Sequence, residues 1–147
     1  MAIDTDISVV PQVRGEQKRS ALADFRRVAP HTFRAAVVTA RETSAFHRDN
    51  LELKDHYNDH ECYLSRDGAL GFAISDTSEL VNVFSREPRQ GAKIMEFVTA
   101  AHSFLHLNCF GGGFLEAFYA GYGFRTVDRT PNWNIDGPDV VIMEYRR

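Results

Sequence analysis

The sequence predicts an α+β fold, a mixed and mostly antiparallel sheet with helices packed on it. Three observations predict it. Period-two apolar runs crowd the chain from Cys62 onward, two segments with three- and four-residue apolar spacing interrupt them, and Asp67-Gly68 joins two of the runs as a hairpin turn. The 147 residues suffice for one domain, so a single unit is expected over 1–147, with 1–60 a mostly helical N-terminal part and 61–147 the sheet core.

From the N-terminus, Ala21, Leu22, Phe25 and Val28 recur at helical spacing among basic residues, which predicts an amphipathic helix over Gln17 to Val28 that Pro30 ends. Phe33 to His60 suits one or two helices interrupted near Arg48 to Asn50. Tyr63 to Ser65 and Leu70 to Ile74 flank the turn, where Gly68 accepts positive φ, and Leu80 to Phe84 is a third strand. A helix over Gly91 to His102 buries Ile94, Phe97, Val98 and Ala101.

Phe104 to Phe110 is a strand with Leu105, Leu107 and Cys109 on one face and Phe104, His106, Asn108 and Phe110 on the other. Gly111 to Gly113 break it. Phe114, Phe118 and Tyr122 then line one face of a short helix that Gly123 closes, and Phe124 to Arg129 and Val140 to Tyr145 are the last strands.

Seventeen basic against 20 acidic residues give a net charge of −3, which excludes a broad phosphate-binding surface and leaves no bulk nucleic-acid partner evident. The opening MAIDTDISVV has no basic start, so it is not a secretory signal. No run reaches the length of a membrane helix, and the two cysteines suit a reducing compartment; a cytoplasmic protein without a membrane partner is expected.

The element order, with the string Phe118-Tyr119-Ala120-Gly121-Tyr122-Gly123-Phe124, resembles the GCN5-related N-acetyltransferase (GNAT) superfamily, in particular its small, divergent bacterial and phage members. Asn108-Cys109-Phe110 and Pro138 to Met143 extend the resemblance, which covers Glu61 to Arg147. It implies a splayed central parallel pair, Leu80 to Phe84 beside Phe104 to Phe110, whose open edges hold the pantetheine arm of acetyl-CoA. The diphosphate would rest on amides of the following loop and helix start. By resemblance the cofactor-binding residues are Val83, Phe84, Arg86, Arg89, Gln90, Gly91, Ala92 and Asn108. Arg89 stands where the family's first glycine belongs, and Pro88 removes one amide donor.

The resemblance implies acetyl transfer from acetyl-CoA to a primary amine by direct attack, with Tyr119 as the catalytic acid that protonates the departing thiolate. The alternative keeps the fold as a binding or interaction module without turnover. Glu61, Glu79, Asp76 and His106 are the candidates for the base, and no spacing separates them.

Other groups carry less. His56 and His60 would share a helical face beside Glu61 and Cys62, but the zinc-protease order is absent and a polar helix end is the plainer reading; no metal is expected. Cys109 reads as packing rather than a nucleophile. Trp133, flanked by Asn132 and Asn134, covers the core or stacks on an acceptor. Arg14, Lys18, Arg19, Arg26 and Arg27 form a solvated helix face or a contact to an acidic partner. Free edge strands near the C-terminus allow a homodimer.

Overall fold

The computed structural model describes residues 24–132 and 136–147. Trp133, Asn134, Arg14, Lys18 and Arg19 lie outside the described residues, as do residues 17–23 of the helix expected over Gln17 to Val28.

The described chain runs β1 (Phe25–Val28), α1 (Pro30–Arg41), α2 (Ala45–Asn50), β2 (His60–Ser65), β3 (Leu70–Ser75), β4 (Leu80–Ser85), α3 (Gly91–Ala101), β5 (Phe104–Phe110), α4 (Phe114–Ala120), β6 (Phe124–Thr130) and β7 (Val140–Arg146). Two antiparallel sheets result, ordered β1-β2-β3-β4 and β5-β7-β6. No helix among the described residues is long and apolar enough to cross a membrane.

The first correction concerns Phe25 to Val28. These residues pair with Cys62 to Ser65 of β2 as an edge strand and are not helical. Phe25 is buried while Arg26 and Arg27 are exposed, and its ring meets Phe72 at 5.4 Å and Phe97 at 5.3 Å. That contact is available only when the segment extends along β2. Pro30 begins α1 rather than ending a helix, since a missing amide costs nothing at a first helical turn.

The hairpin forms as expected, with Gly68 at φ 75° and Leu64 opposite Gly71. Period-two alternation sends β2 to β4 into two layers. Cys62, Leu64, Ala73 and Phe84 pack under α1 with Phe33, Val37, Ala40 and Tyr57. Leu70, Phe72, Ile74 and Leu80 face α3 and the second sheet, meeting Ile94, Met95, Val98, Leu105, Leu107 and Met143. At roughly 2 kcal/mol for each large side chain taken out of water, these two layers supply the main stabilisation.

Residues 51–59 are not helical, so His56 and His60 do not share a helical face. His60 opens β2 and donates Nδ1–H to Asp59, while His56 accepts the Asn58 amide. Glu61 accepts the Tyr63 hydroxyl, and Cys62 is fully buried. The four residues therefore point to separate partners.

Candidate functional site

Among the described residues one isolated parallel bridge, Glu79 with His106, joins the edges of the two sheets. There the His106 amide donates to the Ser78 carbonyl at 3.0 Å, and its Nε2–H donates to the Thr77 carbonyl at 2.9 Å. One step further Asn108 Nδ2 donates to Glu79 Oε2 at 3.3 Å. Beyond that point β4 and β5 share no ladder, and a cleft of about 790 Å³ opens between them. The parallel pairing expected there is confined to the bridge.

The divergence has a local cause in β4. Pairing with β3 shifts register between Gly71 and Ala73, so Asn82 and Val83 bulge opposite Phe72. Asn82 has φ 51°, a left-handed conformation inside a strand. Its side chain accepts from the Tyr57 hydroxyl at Oδ1 over 2.8 Å, and its Nδ2 donates to the Glu52 carbonyl at 2.5 Å.

At the far end of β4 the chain turns through residues 86–90 into α3. The Glu87 amide donates to Ser85 Oγ, and Ser85 Oγ donates back to the Glu87 carbonyl. Arg89 has φ 64°, the conformation a glycine would adopt without cost, and its side chain is exposed. Gln90 caps α3 without a side-chain hydrogen bond. The Gly91 and Ala92 amides consequently face the cleft without a partner among the described residues, at the positive end of the helix dipole.

Tyr119 lies on the opposite wall. It is 7% exposed and lines the cleft, wedged between Phe118 at 5.3 Å and Phe124 at 5.7 Å. Its hydroxyl makes no hydrogen bond among the described residues, and burial raises its pKa above that of an exposed phenol. A buried donor without a partner is costly in a folded protein.

Of the residues predicted to hold a cofactor, Val83, Phe84, Arg89, Gln90, Gly91, Ala92 and Asn108 line this cleft. Arg86 does not: its amide donates to the Ala69 carbonyl at 2.8 Å and its side chain is exposed. Among the candidate bases, Glu79 and not Glu61, Asp76 or His106 reaches the cleft wall. Cys109 is near Tyr119, but burial, and then the Glu116 charge, push its thiol up to about 11, which keeps it protonated at neutral pH and suits a packing role.

Sequence reasoning missed the α2 side of the cleft. His47 donates Nε2–H to the Ser85 carbonyl at 2.9 Å and accepts from Ser44 Oγ at Nδ1, tying α2 to the end of β4. Phe46, on the same short helix, is 50% exposed and lines the cleft. An asparagine amid the apolar run Leu80 to Phe84 was the signal available for the bulge, since Asn tolerates left-handed backbone best after glycine.

Comparison with solved structures bears on the arrangement. The chain superposes on a GNAT family acetyltransferase from Elizabethkingia anophelis, solved with acetyl-CoA bound, with TM-score 0.55 at 13% identity over 84% of this chain and 97% of that one. The fold is that of the GCN5-related N-acetyltransferases. A Bacillus subtilis acetyltransferase in complex with CoA shares the GNAT fold at TM-score 0.53 and 14% identity, over 84% and 97% of the two chains. An IAA acetyltransferase from Bacillus cereus shares it at TM-score 0.55 and 14% identity, over 84% and 98%. No family model and no curated protein matches the sequence. The GNAT resemblance read from the element order and the Tyr119 to Phe124 string thus agrees with the three-dimensional fold.

Proposed function

We propose that the protein is an acetyl-CoA-dependent N-acetyltransferase that acylates a primary amine by direct transfer. The observation that carries this reading is the unbonded hydroxyl of Tyr119, buried on the wall of a wedge whose strands separate immediately past one bridge. The solved GNAT structures with acetyl-CoA or CoA bound support the same cosubstrate.

The residues present fit that cosubstrate. The edge of β4 that faces β5 is open beyond Glu79, so main-chain groups near Val83 and Phe84 are available to an extended arm as a missing strand would be. The amides of Gly91 and Ala92 suit a diphosphate, and Arg89 adds a cation on the same loop. Bound there, acetyl-CoA supplies an activated acyl group as its thioester.

The chain's own part is proton management. Tyr119 keeps its proton across the physiological range and is the donor for a departing sulfur. Glu79, fixed by Asn108 at the inner end of the wedge, is the carboxylate available to take a proton from an ammonium, which must become neutral before it attacks.

A second reading, binding without turnover, is favoured by one feature: Pro88 removes an amide from the loop and Arg89 replaces its glycine. Calorimetry with acetyl-CoA, followed by mass spectrometry of offered amines, separates the two. Binding with acetyl product supports the enzyme; binding without product on any amine supports the module; no binding at millimolar acetyl-CoA rejects the enzyme and leaves an interaction module that holds no cofactor.

A further inference from the structure

Tyr57 and Asn82 lie 25 residues apart in sequence, on elements with different tasks. Tyr57 belongs to the non-helical stretch after α2, is fully buried, and packs its ring edge-on against Phe33 at 5.1 Å. Ring packing accounts for its aromatic body. It does not account for the hydroxyl, which accepts the Lys54 amide at 3.2 Å and donates to Asn82 at 2.8 Å.

Asn82 is an unusual residue to find at φ 51° in mid-strand. Non-glycine residues avoid that region, and the bulge it creates changes which main-chain groups of β4 point away from β3. Those groups face the wedge, because β4 has no partner on that side beyond the Glu79 bridge. Left-handed backbone of this kind persists only where the surroundings fix it. Two side-chain hydrogen bonds, to the Tyr57 hydroxyl and the Glu52 carbonyl, do so here.

We propose that Tyr57 and Asn82 are a positioning pair: the Tyr57 hydroxyl holds Asn82 in its left-handed conformation and thereby aims the open edge of β4 into the cleft. That the edge receives the arm of acetyl-CoA rests on the function proposed above. The same loop lines the cleft through Leu51, Glu52 and Lys54, so the pair also links that wall to the strand edge.

Three variants test the pair with two readouts, acetyl-CoA affinity by calorimetry and amide hydrogen exchange of residues 81–84 in the unliganded protein. Tyr57→Phe keeps the ring and removes the hydroxyl; it is expected to weaken binding about fivefold and to speed exchange at residues 81–84 without affecting β2. Asn82→Ala, which disfavours the left-handed backbone, should weaken binding about tenfold, and Asn82→Gly, which permits it, should recover affinity to within about threefold of wild type. Equal losses for Asn82→Ala and Asn82→Gly, or an Asn82→Ala protein that binds as wild type, overturn the proposal. If the wild-type protein binds no acetyl-CoA, the functional reading fails, and exchange in Tyr57→Phe decides the pair: unaltered rates at residues 81–84 reject it and faster rates uphold the hold on β4.

Discussion

The ring of Phe118 closes directly over Gly91, so a Cβ placed on residue 91 would lie 3.0 Å from Phe118 Cζ. The first turn of α3 and the middle of α4 touch here, where one wall of the cleft meets the helix start that offers free amides. Gly91 is therefore required by proximity, not by an unusual backbone angle. Gly91→Ala is expected to push the half-buried ring aside at a cost of about 1 kcal/mol, lowering Tm by about 3 °C. Phe118→Leu in the same chain should recover most of that loss. A thermal-shift series on the single and double variants checks it, and additive losses would refute the contact.

Arg89 carries the strain of φ 64°. Arg89→Gly relieves a left-handed cost of about 1–2 kcal/mol but loosens the unfolded chain by roughly 0.5–1 kcal/mol, so a net gain of up to about 1.5 kcal/mol is expected. Arg89→Ala removes the same guanidinium without relieving the backbone and should show no gain. Urea unfolding of both variants distinguishes backbone strain from side-chain charge.

In the proposed reaction the buried phenol of Tyr119 sets stability against turnover. Tyr119→Phe deletes a buried hydroxyl that has no partner among the described residues, so Tm is expected to hold or rise by up to about 3 °C. Turnover with a reactive amine should fall about a hundredfold with acetyl-CoA affinity little changed. Because burial raises the phenol's pKa, the wild-type rate should show no alkaline loss from this group below pH 10. A decrease in Tm together with unchanged turnover would remove Tyr119 from the chemistry.

Acid should act through Glu116. Its carboxylate accepts from Thr126 Oγ1 at 2.7 Å, the Gly112 amide at 2.7 Å and Arg129 at 2.8 Å, and these bonds hold its pKa down to about 2, Thr126 contributing most. A group whose folded pKa lies below its unfolded one stabilises the protein above the unfolded value and loses that contribution as pH falls toward the folded one. The Gly111 to Gly113 turn and β6 should therefore loosen between about pH 4.5 and pH 2. Glu116→Gln should be less stable at pH 7 and show a flatter stability profile through that window, as measured by thermal unfolding at several pH values.

How much of this was readable in the sequence varies by element. Strands β2 to β7 announced themselves because alternation and glycine turns are local signals that burial on two faces later reinforces. Phe25 to Val28 was misread because spacings of three and four residues fit a helix, while the decisive fact, a vacant edge along β2, is non-local. Tyr119 and the loop before Gly91 were singled out through a motif, and the structure sets both on the cleft wall. Asn82 was not, since its hydrogen-bond partner Tyr57 is 25 residues away and is brought to it by packing with the α1 layer. Glu79 stood among four equal candidates until the bridge to His106 placed it at the inner end of the wedge.

A seam joined by one bridge has a mechanical consequence. Each half of the protein is laced by its own ladder, so the width of the slot between them is governed by the side chains stacked behind it, chiefly Leu105 and Met143 in one core with Phe72, Met95 and Val98. Trimming one of those wedges should narrow or slacken the opening while both ladders stay intact, and warming should part the seam before either half begins to fray. Evolution can thus retune what the slot admits from behind the wall, without altering a single residue that lines it.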